Sequence, residues 1–337
     1  MRAGFLTGVR AVEVRKISDA RPERSDEAVV RVAHVGLCGT DLELYHGTST
    51  YLKDERTTYP HLFGHEWVGT IEISPEIGHH GEHLKPGAIV TGSTMIACLT
   101  CDPCRSGHKN LCERLREVGL YGHPGAAAEL LTMPAHTLIV IDEEADAVPH
   151  PEYVLIEPLA TVLEGVARAT PSPGDRVLVM GGGTIGTLAA MVFMQYPIDV
   201  EVFDPAAPPH LTELGIPTCG HPIDIDRTYD TVWECSGSAS ATQSVLSNLK
   251  AGGNAVFVGV PPVGTHIDVS KLTLNGHHLL GVRHGVDRYS AAARFIHRNR
   301  EASKMLIEHI FALDEAGRAF QRLDEVRNRP KVVLKVE

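Results

Sequence analysis

The stretch Val177-Leu-Val-Met180-Gly181-Gly182-Gly183-Thr184-Ile185-Gly186 decides the fold. Its first four residues are an apolar run of strand length, and Thr184–Gln195 continues with a helical pattern. The glycines between them follow Gly-x-Gly-x-x-Gly. Glycines so placed let a pyrophosphate approach the backbone at a helix N-terminus, where the helix dipole favours an anion. Context gives the pattern its weight: it follows a strand, opens a helix, and is followed 18 residues beyond Gly186 by Asp204. A carboxylate there can accept hydrogen bonds from ribose hydroxyls. The expectation is a dinucleotide site built on Gly181, Gly183, Thr184, Ile185, Gly186 and Asp204.

Outward from that turn, strands alternate with helices. Arg176–Met180, Val200–Phe203, Thr231–Glu234, Ala255–Val260 and Leu279–Val282 read as strands, and Ala239–Leu249 as a helix. Such alternation implies a doubly wound parallel sheet with right-handed crossovers. Before about residue 150 the texture differs. Ala28–Ala33, Trp67–Ile73, Ala88–Thr91 and Glu129–Pro134 are short β-rich runs broken by Gly, Pro and His, the mark of an irregular β-domain with long loops. After about residue 284 come helical stretches at Ser290–His297 and Asp314–Gln321, then a closing strand, Lys331–Val336. The acidic, proline-containing stretch Asp142–Pro151 is the candidate hinge. At about 150 residues per domain, 337 residues suggest two domains.

The chain carries 31 basic and 42 acidic side chains, a net charge of −11. That balance repels phosphate backbones, so no nucleic-acid partner is expected. No apolar run approaches the roughly 20 residues of a membrane span, and the N-terminus shows no secretory apolar block, so a soluble cytoplasmic protein is expected.

Four of the seven cysteines, Cys98, Cys101, Cys104 and Cys112, fall within 15 residues. Free thiols at that density are an oxidation liability, whereas four thiolates on a tight loop suit tetrahedral zinc, which takes sulfur at about 2.3 Å. Four sulfurs leave no open position, so this ion is read as structural. A second constellation is scattered: Cys38-Gly-Thr40-Asp41, Gly64-His65-Glu66 and Glu157-Pro-Leu-Ala160. Singly these are weak signals. Together they supply one sulfur, one imidazole and two carboxylates, enough for a zinc that keeps a position open for substrate. Asp41 can orient His65 from behind, as metal-bound histidines usually require. Cys219 and Cys235 read as buried small apolar residues, and His79, His80 and His83 as solvated surface.

These elements, with Pro173-Gly174-Asp175 and Glu234-Cys-Ser236-Gly237, resemble the zinc-dependent medium-chain alcohol and polyol dehydrogenases over almost the whole chain. The resemblance implies a GroES-like β-rich catalytic domain from residues 1–150 and 285–337, with the structural-zinc lobe at about 95–115. Residues 151–284 would form the Rossmann domain, with the active site in the cleft between the two domains. It implies Cys38, His65 and Glu157 as catalytic-zinc ligands, with Glu66 a ligand or an alternating one. Thr40 would take the substrate proton. Many relatives carry His five residues after the zinc cysteine; here that position is Glu43, with His46 three further on, so the outward step falls to one of these two. Ser236, Val260 and Arg283 would complete the cofactor site, with His284 either beside Arg283 or packed in the core. A homodimer or homotetramer is also implied.

Hydride transfer between a secondary alcohol and a nicotinamide cofactor is thus the expected reaction, with two zincs per chain. Asp204 would repel the 2′-phosphate of NADP, and Pro205-Ala-Ala-Pro-Pro209 brings no positive charge beside it, which favours NAD; a distant arginine such as Arg227, brought into reach by the shortened helices, would supply such a charge. The hydroxyl-rich, charged segment Tyr45–Asp54 suits a polyol, sugar, cyclitol or amino derivative, because a site built to bond hydroxyls rejects analogues lacking them. Glutamate at 157 points to the sorbitol- and threonine-dehydrogenase side of the family, and aminocyclitol dehydrogenases share the general plan. The alternatives are an L-threonine 3-dehydrogenase and, from another class, a non-catalytic dinucleotide-binding relative.

Overall fold

Val29, Val30, Val32, Val35 and Leu37 put apolar side chains on both faces of the strand Glu27–Leu37, which is buried along most of its length. Burial on both faces suits a central strand, and this one runs through the middle of a seven-stranded sheet. The order is Leu138–Asp142, Ile89–Gly92, Glu66–Ile73, Glu27–Leu37, Lys331–Lys335 and Ile307–Ala312, with Leu130–Pro134 also paired to Glu27–Leu37. The computed structural model describes residues 1–77, 84–144, 147–220, 228–261, 264–325 and 328–336. His79, His80, His83 and Arg227 lie outside the described residues.

Two registers in this sheet matter for the site. Antiparallel pairing of Gly36 with Glu66 brings the end of the central strand beside His65. Pairing of Val332 with Leu37 brings Lys331 to the same end. The C-terminal helix Ala316–Asp324 packs there too: Phe320 stacks on Tyr45 at 4.9 Å and meets Phe63 edge-on at 5.0 Å.

The chain divides into two compact units. The first comprises Met1–Glu157, Tyr289–Arg327 and Lys331–Glu337, the second Pro158–Arg288 and Asn328–Pro330. The boundaries read from sequence, 150 and 284, are displaced to 157 and 288. The 3₁₀ turn Pro151–Leu155 buries Tyr153, Val154 and Leu155 and packs on the strands Glu27–Leu37 and Glu66–Ile73, which holds the chain in the first unit beyond the expected hinge.

The second unit is a five-stranded parallel sheet ordered Asp199–Phe203, Arg176–Met180, Tyr229–Glu234, Leu249–Phe257, His278–Gly281. The chain thus leaves its first strand to one side and returns on the other, the arrangement of a Rossmann sheet. Within this unit the sequence reading departs furthest from the structure between residues 239 and 260. The helix expected over Ala239–Leu249 stops at Ser244, followed by a 3₁₀ turn at Val245–Ser247, and Leu249 opens the next strand. The Asn248 amide donates to Ser244 O at 2.9 Å and closes that helix end. The strand in turn stops at Phe257, short of the expected Val260. Among the described residues, no helix is long and apolar enough to cross a membrane.

Candidate active site and metal centres

Cys38 stands between the central strand and the helix Gly39–His46 and caps that helix. Its sulfur accepts from Thr40 N at 3.2 Å, and the Asp41 carboxylate accepts from Cys38 N at 3.0 Å. A thiolate at a helix N-terminus sits in a favourable field. The His65 Nε2 lies 3.0 Å from Cys38 Sγ, while its Nδ1 faces Asp41 Oδ1 at 3.6 Å. Both atoms of that second pair are buried and neither makes a hydrogen bond. Nε2 at a sulfur, with Nδ1 turned to a carboxylate behind it, is how a metal-ligating histidine is held.

Cys38, Asp41 and His65 bring their ligand atoms within 4.8 Å of one another, a group that includes neither Glu66 nor Glu157. Glu157 accepts from Thr94 Oγ1 at 3.3 Å, and the Tyr289 hydroxyl oxygen in turn accepts from Thr94 N at 3.0 Å. Burial pushes the Glu157 carboxyl up to about 7, against the pull of His65. Glu66 has a different partner: Lys331 Nζ meets its two oxygens at 2.8 and 2.6 Å. Burial raises the Cys38 thiol; it also opposes the His65 imidazolium, which Cys38 and Asp41 nonetheless hold well above its ordinary range. A half-buried sulfur with a buried imidazole and the buried Asp41 and Glu157 carboxylates is a donor set that fits zinc.

Cys98, Cys101, Cys104 and Cys112 likewise bring their sulfurs within 4.8 Å, and no disulfide joins them. Left-handed Leu99, at φ 60°, and the short helix Asp102–Arg105 turn the loop back on itself. Cys98 N and Arg114 N point at Cys112 Sγ at 3.2 and 3.3 Å, and the Arg114 guanidinium reaches Cys98 Sγ at 3.4 Å. Donation from Thr100 N and then its hydroxyl draws the Cys98 thiol down to about 5, while burial pushes Cys104 up to about 12. Four unbonded sulfurs that collect N–H donors fit a closed tetrahedral zinc.

In the second unit, the strand Arg176–Met180 runs into Gly181, and Gly183 precedes the helix Thr184–Phe193, which has no side-chain cap. Its first N–H groups, at Thr184 and Ile185, thus have no capping side chain, the arrangement that suits an anion at a helix N-terminus. A side chain at Gly186 would collide with the Gly181 carbonyl, so only glycine lets the helix pack on the turn. Asp204 follows the strand Asp199–Phe203 directly; its carboxylate accepts from Gly182 N at 2.7 Å and from Ala206 N at 2.8 Å. Ser236 lies against Gly181 and bonds Glu234, and Val260 lies against Gly237. Arg283 is exposed, whereas His284 is buried and bonded to Thr161 at 2.9 Å, the packing alternative. The prolines shorten the next helix to Pro209–Glu213.

Residues 24–143 match the alcohol dehydrogenase GroES-like domain, and residues 224–298 match the family described as zinc-binding dehydrogenase. The chain belongs to the zinc-dependent medium-chain dehydrogenases. L-galactonate-5-dehydrogenase of Escherichia coli (strain K12) is 27% identical over 318 residues, 90% of this chain and 89% of that one. Sorbitol dehydrogenase of Bacillus subtilis (strain 168) is 24% identical over 343 residues, 97% and 95% of the two chains. A solved structure from Sinorhizobium meliloti 1021, described as a zinc-binding dehydrogenase bound to NADP, superposes with a TM-score of 0.86 at 26% identity over 99% of each chain. The family match and the NADP-bound neighbour support zinc and a nicotinamide dinucleotide, NAD or NADP, as the cofactors.

The helix capped by Cys38 also carries the proton-relay candidates. Thr40 is half-buried, and its hydroxyl has no partner among the described residues. Glu43 stands one turn on, its carboxyl raised by burial and drawn down by Lys53. His46 Nε2 is engaged by Asp324 at 3.1 Å. Sequence reading missed Lys331, Thr94, Tyr289 and Arg114. Only sheet register and tertiary packing deliver the first three; the position of Arg114, two residues after Cys112, is a local signal for an N–H···S bond. Cys219 and Cys235, expected to be buried, are half-buried.

Proposed function

We propose that the protein oxidises a secondary alcohol of a polyhydroxylated substrate, reversibly, with NAD as hydride acceptor. Half-buried Cys38 and buried His65, with Asp41 behind the imidazole, carry this reading. Glu157 completes the ligand set, with one position open. Bound there, zinc supplies Lewis acidity to the alcohol oxygen, and the dinucleotide accepts the hydride. The chain's own residues do the rest. Thr40 takes the hydroxyl proton and Glu43, one turn along, passes it out, since His46 is committed to Asp324. The balance is secondary alcohol plus NAD⁺ to ketone, NADH and one released proton. Asp204 holds the adenosine ribose and selects against a 2′-phosphate.

The likeness to the galactonate and sorbitol dehydrogenases supports a polyol or sugar-acid substrate. Assays of hexitols, hexonates, cyclitols, aminocyclitols and L-threonine with NAD test this; L-threonine as the sole substrate would overturn it. All described cysteines are free, which suits a reducing cytoplasm. The edge strand His278–Gly281, with exposed Leu279, Leu274 and Val269, supports a homodimer formed by edge pairing. Light scattering of Leu279→Lys should then report monomers.

A further inference from the structure

Between the two zinc-site elements the chain builds a small cationic platform. Ser49 caps the short helix Thr50–Lys53, accepting from Tyr51 N at 3.2 Å. Glu55 then adopts a left-handed backbone at φ 56°, and Arg56 N and Thr57 N return to Tyr51 O at 2.9 and 3.2 Å. That reversal lays the Arg56 guanidinium 4.5 Å from the Tyr51 ring centroid and 4.9 Å from that of Tyr121. Tyr121 is itself fixed by its hydroxyl on buried Glu117 at 2.7 Å. Cation–π contact orients a guanidinium without using its N–H donors. The one hydrogen bond of the Arg56 guanidinium among the described residues is a marginal one, at 3.5 Å, within an ion pair to exposed Asp54. Lys53, one turn earlier, is exposed and makes no ion pair among the described residues.

Two short routes tie this platform to the zinc site. Thr57 Oγ1 lies 2.9 Å from His61 Nδ1, and Asp41 and His65 act electrostatically on that buried imidazole. From the other side, His61 Nε2 meets Gly119 O at 2.8 Å, and Gly119 presses on the backbone of Gly64, the residue before His65.

We propose that Arg56, seconded by Lys53, binds an anionic group of the substrate, a carboxylate or a phosphate, at the end remote from the carbon being oxidised. A guanidinium presents paired N–H donors to two oxygens of either group, and here the tyrosines hold it ready. This rests on the polyol reading above and narrows it to acidic or phosphorylated polyols.

Steady-state kinetics with galactitol, L-galactonate and galactitol 1-phosphate test it. Wild type should prefer at least one of the two anions over galactitol by tenfold or more in kcat/KM. Arg56→Gln should erase that preference through KM rather than kcat, with Arg56→Lys intermediate. The anion whose KM depends on Arg56 identifies the group. Turnover of galactitol with no anionic preference, or an equal loss on all three substrates in Arg56→Gln, would overturn the anion site and leave the polyol reading standing. No turnover of these three, nor of the other hexitols, hexonates, cyclitols and aminocyclitols, by zinc-loaded enzyme that binds NADH would overturn both.

Discussion

The ammonium of Lys331 and the carboxylate of Glu66 form an ion pair with both side chains almost wholly buried, at 1% and 2% exposure. The pair joins the closing strand of the chain to the residue after His65, the proposed zinc ligand. Lys331 also donates to Leu37 O at 3.2 Å, one residue before Cys38. The carboxylate that stands nearest His65 in sequence is therefore occupied by the protein itself.

Removing one partner of such a pair leaves an uncompensated charge in a dry site, which costs about 3–5 kcal/mol. Lys331→Met should destabilise by that order in denaturant unfolding, and Lys331→Met with Glu66→Gln should recover much of the loss. A single-variant loss below about 1 kcal/mol would mean that the charges are not buried together.

The four-cysteine lobe is predicted to be held by metal, so its metal affinity is folding free energy. Cys101→Ser should release one zinc per chain and lower the melting temperature or the assembly state. Retention of both zincs with a wild-type melting curve would remove the structural assignment.

Much of this site is legible in the sequence, for identifiable reasons. Cys98 to Cys112 and Gly181 to Gly186 are local motifs whose residues are neighbours along the chain, so spacing alone brings them together. The Cys38–His65 pair is less local and depends on the register of Gly36 with Glu66. Lys331 is illegible by any such route: it reaches Glu66 only because a strand almost 300 residues later pairs beside Leu37. The helix end at Ser244 was misread because an apolar pattern cannot distinguish a helix running to Leu249 from a strand beginning there.

Burial pushes the His34 imidazole down to about 4 from an unfolded value of 6.5. The unfolded chain therefore binds more protons between those values, so stability is fully present above pH 6.5 and falls as pH drops towards 4. One such group contributes at most about 1.4 kcal/mol per pH unit. In His34→Gln the slope of unfolding free energy against pH should flatten in that window; an unchanged slope would show that His34 does not titrate there.

Asp204 makes cofactor choice testable. Its carboxylate sits on Gly182 N, with prolines and alanines following. Wild type should favour NAD over NADP in kcat/KM, and Asp204→Ala should weaken NAD and relax the discrimination. Comparable values for NAD and NADP in wild type would show that Asp204 does not face the ribose.

The central claim, that Cys38 and His65 hold the zinc at which the alcohol reacts, is tested most directly by measuring zinc content and NAD-linked polyol oxidation together in wild type and His65→Ala. The account predicts two zincs per chain in wild type. In His65→Ala it predicts one zinc, almost complete loss of turnover and retained NADH binding. Two zincs and undiminished turnover in His65→Ala would contradict it.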